Sequence, residues 1–303
     1  MKKIFQSHWL ISFIFLFALS CILYSCFQFI ENQNKIEEFE KQQIAYCQSQ
    51  LSQQEDIEYC QHYLSSIEKE KQLQLDFYTM MTDILVFRIQ FFNPIAFLML
   101  IIPTLTVLCN ILKYKYILNT CTRESYQSFC KSFFRKAYRY VWLLPVLVAI
   151  LMIICITYTT FDPTYALHFG SSVWKSNIIY HPVLFVLLYF VNIFLYSCAF
   201  INLALIIVRK VHSYLKAVVL SFVVYIGLEL FLEVVVNALI LQGIFKLNIG
   251  HLFNIMNLFM FNDTFGVFAL ILFTTIIFII SCIGVYVSYK NKESFIIDCE
   301  KNC

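Results

Sequence analysis

Six stretches of almost uninterrupted apolar residues alternate with polar segments along this chain. They lie at residues 9–30, 91–112, 141–161, 182–208, 217–241 and 264–289. Each stretch is long enough to cross a hydrocarbon core of roughly 30 Å as a helix, which takes about 20 residues. A segment surrounded by lipid must pair its backbone groups internally, so each stretch is predicted to be helical. The pattern therefore predicts an all-α, polytopic membrane protein with six transmembrane helices.

The composition agrees with this prediction. Of the 303 residues, 60% are hydrophobic and only 14% are charged, whereas an ordinary soluble domain has roughly 25% charged residues. The first stretch follows Lys2 and Lys3, as a secretory signal would, but it is too long for a signal h-region and no small-residue cleavage site closes it. We expect it to persist as the first transmembrane helix.

The Lys and Arg residues favour one side of the predicted membrane. Fifteen of them fall on the side that holds both termini and seven on the other, so the positive-inside rule places both termini in the cytoplasm of a multi-pass cell-membrane protein. The chain then divides into a cytoplasmic N-terminus with the first span (1–30), an external segment (31–88) and five further spans (89–303). The last region includes a basic cytoplasmic loop at 113–139 and a cytoplasmic tail.

The external segment is acidic and is predicted to form a helical hairpin. Between residues 31 and 78 it carries ten acidic and four basic residues. The string Ser52-Gln-Gln-Glu55 has the form of a capping box, in which Ser52 begins a new helix and Glu55 bonds back to it. We therefore expect one arm near 31–50 and a second near 53–78.

Two cysteines lie on the opposing arms of this predicted hairpin. Cys47 precedes the Ser52 cap and Cys60 follows it, so a disulfide between them is geometrically possible, and an external location would permit it. The alternative is that both remain unpaired thiols. No cysteine forms a C-x-x-C pair with histidine partners, so no metal site is predicted.

The loop at 113–139 carries seven basic residues against one glutamate, with seven aromatic residues interleaved and Tyr140 directly after it. This spacing is typical of an amphipathic helix at the membrane interface, with cations over anionic lipid. The alternative is that part of the loop docks a cytoplasmic protein. Nucleic-acid binding is not favoured, because the loop adjoins a span at each end and no recognition fold accompanies it.

Strings in and beside this loop resemble a known family. Ile117-Leu-Asn-Thr-Cys-Thr-Arg-Glu-Ser-Tyr126, Phe133-Phe-Arg-Lys-Ala-Tyr138 and Leu143-Leu-Pro145 resemble the connection between the second and third spans of type-2 ABC transporter permeases. The tail Tyr289-Lys-Asn-Lys-Glu-Ser-Phe295 is similar to members from Gram-positive bacteria. The chain departs from better-known members in carrying its large external insert between the first two spans rather than before the last.

The resemblance implies a permease subunit that pairs with a second permease subunit and with separate ATP-binding subunits. The six glycines are isolated along the chain, so no phosphate-binding loop can be built and ATP hydrolysis must be supplied by a partner. The resemblance also implies that the ATPase lies against this loop. The predicted docking residues are Arg123, Ser125, Tyr126, Lys131, Arg135 and Lys136.

Polar residues also occur within the predicted spans. Glu229, Glu233 and Asn237 are spaced to stack on one face of the fifth span. Charges at membrane depth are costly, so they should face protein or water. They could line a translocation path, or they could be hydrogen-bonded to another helix. Asn192 and Asn202 in the fourth span are predicted to bridge helices rather than to bind a ligand.

Three functions remain open at this point. The first is an ABC permease subunit that exports a peptide, lipid or antibiotic-like amphiphile. The second is a membrane-bound sensor or immunity protein that binds an extracellular ligand through the 31–88 hairpin. The third is an ion-driven transporter that uses Glu229 and Glu233. No catalytic constellation or cofactor motif is present in the sequence, so an enzyme is not predicted.

Overall fold

The computed structural model describes residues 2–53, 59–62, 64, 76–84, 92–113, 125–164, 177–211, 213–246 and 267–301. Six helical stretches among them are long and apolar enough to cross a membrane. The predicted all-α, polytopic class is therefore confirmed. The helices are α1 (Lys2–Gln53), α2 (Phe77–Thr82), α3 (Phe92–Lys113), α4 (Tyr126–Tyr138), α5 (Leu143–Tyr158), α6 (Pro182–Lys210), α7 (Tyr214–Leu230), α8 (Val267–Tyr289) and α9 (Lys292–Lys301).

Helix α1 is longer than the first predicted span, because it continues without a break through Gln53. The prediction that Ser52 caps a new helix is wrong, since Ser52 lies inside the last turn of α1. No proline or glycine interrupts residues 2–53, and the pair Lys35–Glu31, with 2.6 Å between Nζ and Oε1, supports the exposed part at i,i+4 spacing. The second arm of the predicted hairpin lies mostly outside the described residues.

Helix α7 continues directly into a π-helical segment, Phe231–Ile244. A π-helix has wider turns than an α-helix, and such segments are rare and frequently found at functional sites. The prediction of regular α-helical spacing in the fifth span is therefore wrong beyond Leu230.

Contacts divide the chain into two compact units. The first comprises residues 1–19, 91–149 and 175–303, and the second comprises residues 20–90 and 150–174. In the first unit α6 is the central helix, because it contacts α3, α4, α7, α8 and α9.

In the second unit, the chain around Asp76 pairs with the chain that follows α5. Phe77 N donates to Thr160 O at 2.8 Å, and Asp76 caps α2 by accepting from Thr79 N at 2.6 Å. Tyr78 is fully buried beside this cap. Burial, together with the negative charge of Asp76, raises the pKa of Tyr78 to about 12.

Candidate functional site

Helix α4 confirms the amphipathic helix predicted for the basic loop. Ser125 begins it, because the Ser125 Oγ accepts from Ser128 N at 3.2 Å. Phe129, Phe133 and Ala137 follow at four-residue intervals and are buried, so one face of the helix is apolar. The opposite face is exposed to solvent or lipid.

The buried face of α4 packs against the junction of α8 and α9. Phe129, Phe133, Tyr289 and Phe295 form an aromatic cluster, with ring centroids 5.9 Å apart for Phe133–Tyr289 and 6.1 Å for Phe129–Phe295. The Tyr126 hydroxyl donates to the Tyr289 carbonyl at 2.8 Å. These contacts join α4 to the end of a membrane-spanning helix.

A second connection joins α4 to α6 and α8 through Asn202. The Tyr138 hydroxyl donates to Asn202 Oδ1, and Asn202 Nδ2 donates to Ser281 Oγ at 2.9 Å. Farther along the same pair of helices, the Thr274 hydroxyl donates to Asn192 Oδ1 at 2.6 Å. The prediction that both asparagines bridge helices is confirmed.

The exposed face of α4 carries an uncompensated positive charge. Lys131, Arg135 and Lys136 of α4 are exposed, and so is Arg139, which directly follows the helix. Within the part of the chain that the structure describes, none of the four takes part in an ion pair. These four residues are called the basic face below.

The predicted docking residues are thus divided between two roles. Lys131, Arg135 and Lys136 lie together on the basic face, whereas Ser125 caps α4 and Tyr126 binds the end of α8. Arg123 lies outside the described residues.

Other cations close to this region are neutralised by α9, a helix that was not predicted from the sequence. Asp298 accepts from Arg209 Nε at 3.2 Å and from Lys210 Nζ at 3.0 Å. The hydrogen bond from Lys210 and the charges of both cations outweigh partial burial and lower the pKa of Asp298. Asn291 begins α9, since its Oδ1 accepts from Glu293 N at 3.0 Å. That asparagine was the available sequence signal for the helix.

Two of the three predicted polar residues of the fifth span are buried in the protein, and Glu233 is half-buried. Glu229 is 8% exposed and Asn237 is 6% exposed. Asn237 Nδ2 donates to Glu233 Oε1 at 3.4 Å, and Gln242 Nε2 donates to Asn237 Oδ1 at 3.3 Å. Among the described residues, the buried Glu233 Oε2 has no hydrogen-bond partner. The structure therefore brings Glu233 and Asn237 together and leaves one carboxylate oxygen unsatisfied.

Aromatic residues surround the start of this acidic row. The rings of Tyr225 and Phe97 stack with centroids 4.5 Å apart, and Tyr196 packs edge-on against Phe200 at 4.4 Å. Glu229 is close enough to interact electrostatically with the hydroxyls of Tyr196 and Tyr225. The carboxylate thus lies where α6 and α7 meet.

The other predicted site is the Cys47–Cys60 disulfide. Both side chains are buried, which does not decide whether they are bonded to each other. The disulfide therefore stays a prediction. Among the described residues, no group of three or more His, Cys, Asp or Glu side chains could hold a metal ion.

Comparison with known proteins identifies no relative of this chain. No protein-family model, curated protein or solved structure matches this chain. The fold and its apolar helices define the chain as a multi-pass α-helical membrane protein.

Proposed function

We propose that this chain is the membrane-spanning permease subunit of an ABC transporter. In this proposal it exports a peptide, lipid or antibiotic-like amphiphile, together with a second permease subunit and a separate ATP-binding subunit. The observation that supports the proposal best is helix α4. Its basic face lacks ion-pair partners within the described residues, while its opposite face is fixed to membrane-spanning helices.

The contacts of α4 suit the transmission of movement from a docked ATPase. The aromatic cluster and the Tyr126–Tyr289 bond join α4 to α8, and the Tyr138–Asn202 bond joins it to α6. Packed elements of this kind move as units rather than deforming continuously. A displacement of α4 would therefore reach two spans at once.

Charge reversal on the basic face tests this proposal. Arg135→Glu combined with Lys136→Glu is expected to reduce co-purification of a soluble ATP-binding protein by at least about tenfold. The reason is that like charges facing each other across an interface cost several kcal/mol. The measurement is quantitative mass spectrometry of proteins that co-purify with the chain from its native membranes.

The matched control is Lys216→Glu combined with Lys292→Glu. Both lysines are exposed and fall on the same predicted side of the membrane, but neither belongs to α4. The control should retain the wild-type amount of the ATP-binding protein. Undiminished association in the Arg135→Glu, Lys136→Glu variant would remove the docking assignment.

A second candidate function is ion-driven transport, which the unsatisfied Glu233 Oε2 favours. Ionisable groups inside membrane spans mark ion pathways and proton relays in many transporters. In proteoliposomes containing a trapped pH indicator, an imposed ion gradient should then produce proton flux that Glu233→Gln abolishes. Wild-type protein that moves no protons under these conditions would exclude this candidate.

A further inference from the structure

A cavity of about 590 Å³ lies between α4 and the end of α8 that adjoins α9. Gln127 and Phe134 contribute to its wall from α4, and Val285 and Tyr286 contribute from α8. Its volume falls within the range of about 300–1,000 Å³ that is usual for ligand pockets. The space is sufficient for a phosphate-bearing headgroup and the beginning of a hydrocarbon chain.

The rim of this cavity is positively charged. Lys290 lines it, and its Nζ lies 5.9 Å from the centroid of the Tyr286 ring. Lys131 follows Gln127 by four residues and precedes Phe134 by three, so it borders two residues that line the cavity. Within the described residues, neither lysine has an acidic partner. An anion at the rim would therefore meet Lys290, with Lys131 one helical turn from two of the lining residues on α4.

An apolar row continues from the cavity along α8. Ile283, Ile279 and Ile276 precede Tyr286 by three, seven and ten residues, and all of them are exposed. This spacing keeps them on one face of the helix. Since α8 is one of the six helices able to cross a membrane, the row runs from the rim toward the hydrocarbon core.

We propose that this cavity binds one anionic phospholipid. Its phosphate lies between Lys131 and Lys290, and an acyl chain follows Ile283 and Ile279 along α8. Basic pockets between membrane helices bind anionic headgroups in this way. A soluble phosphate compound would use the two cations but not the apolar row, and a zwitterionic lipid would offer no net charge to them.

Native mass spectrometry in equal amounts of phosphatidylglycerol and phosphatidylcholine with identical acyl chains tests the proposal. The delipidated wild-type protein should retain phosphatidylglycerol preferentially. Lys131→Gln combined with Lys290→Gln should lower that preference by about fivefold for each cation removed. Lys136→Gln combined with Lys216→Gln removes two exposed cations that do not line the cavity, and it should leave the preference unchanged.

A second variant keeps every cation and fills the space instead. Gln127 is exposed and lines the cavity, so Gln127→Trp should obstruct the mouth without disturbing the buried face of α4. Retention of phosphatidylglycerol should fall in Gln127→Trp. This variant tests the proposal independently if the Lys131→Gln, Lys290→Gln variant does not fold.

Three results would overturn the proposal. The first is a wild-type protein that shows no preference between the two lipids. The second is a preference that survives both the lysine substitutions and Gln127→Trp. The third is displacement of the lipid by an equal concentration of glycerol phosphate, which would show that the site recognises a soluble anion.

Discussion

At the scale of single residues, Asn202 has the widest connections, because one amide group joins α6 to both α4 and α8. Asn202→Leu should lower the free energy of unfolding by roughly 1–3 kcal/mol, since it leaves Tyr138 and Ser281 without their shared partner. Denaturant titration in detergent measures this loss. Asn110→Leu is the matched control, because Asn110 is exposed on α3. Equal losses in the two variants would contradict the bridging role.

Asp298 provides a pH-dependent prediction at the same scale. Its pKa lies below the ordinary value of 3.8 because Lys210 and Arg209 bind the carboxylate. The stability that it contributes is therefore fully present above pH 3.8 and is lost as the pH falls through the lowered pKa. Asp298→Asn should be less stable than wild type by about 0.5–1 kcal/mol at pH 7, as expected for a partly exposed pair.

The difference in stability between Asp298→Asn and wild type should shrink as the pH falls below 3.8. Thermal unfolding of both proteins at pH 7 and at a pH below 3.8 measures this difference. Glu293→Gln on the same helix is the control, because it removes a carboxylate that makes no ion pair within the described residues. A difference between Asp298→Asn and wild type that persists undiminished at low pH would exclude the ion pair as its cause.

At the scale of helices, Gly284 of α8 lies beside Ile206 of α6. A Cβ placed there would lie 2.8 Å from Ile206 Cδ1, whereas a Cβ at Gly227 on α7 would meet nothing within 4 Å. Gly284→Leu should therefore be less stable than Gly227→Leu by about 1 kcal/mol, because the end of the Ile206 side chain must shift. Gly227→Leu should be neutral or stabilising by up to about 1 kcal/mol, because leucine has the higher helix propensity.

Denaturant titration of Gly284→Leu and Gly227→Leu separates the effect of side-chain packing on stability from the effect of helix propensity. Adding Ile206→Ala to Gly284→Leu makes room for the new side chain and should recover part of the lost stability. If both glycine variants gained stability, the contact between α6 and α8 at this position would not be tight.

Whether a helix could be predicted depends on whether local sequence or distant contacts stabilise it. The six spans and the amphipathic α4 could be predicted because their apolar patterns are properties of the local sequence. The capping box at Ser52 was misleading, because a four-residue motif does not include the long run of helix-forming residues before it. Helix α9 was missed because it is short and polar, and its stability depends on the distant Arg209.

The candidate sites show the same division. That Asn192 and Asn202 bridge helices could be inferred, since polar groups at membrane depth need partners. The π-helical turns around Glu233 could not be inferred from the sequence. An α-helix and a π-helix of the same composition differ only in which backbone carbonyl each backbone amide binds. The cavity between α4 and α8 was also beyond prediction, since its walls are separated by about 150 residues of chain.

At the scale of the whole molecule, the charge distribution predicts that both termini are cytoplasmic and that residue 53 is external. Alkaline phosphatase, which is active only outside the cytoplasm, should therefore be active when fused after Gln53. Green fluorescent protein fused to the C-terminus should fluoresce, because it folds in the cytoplasm. The reverse pattern would invert the topology and would place α4 where no ATPase could reach it.

The uninterrupted course of α1 has a mechanical consequence. The 23 residues from Glu31 to Gln53 extend about 35 Å at 1.5 Å per residue. A transmembrane helix tilts by about 20° on average, and a change of that size in the direction of the helix at Glu31 would displace Gln53 by about 12 Å. A small change in the direction of the helix at Glu31 would therefore become a large displacement at Gln53.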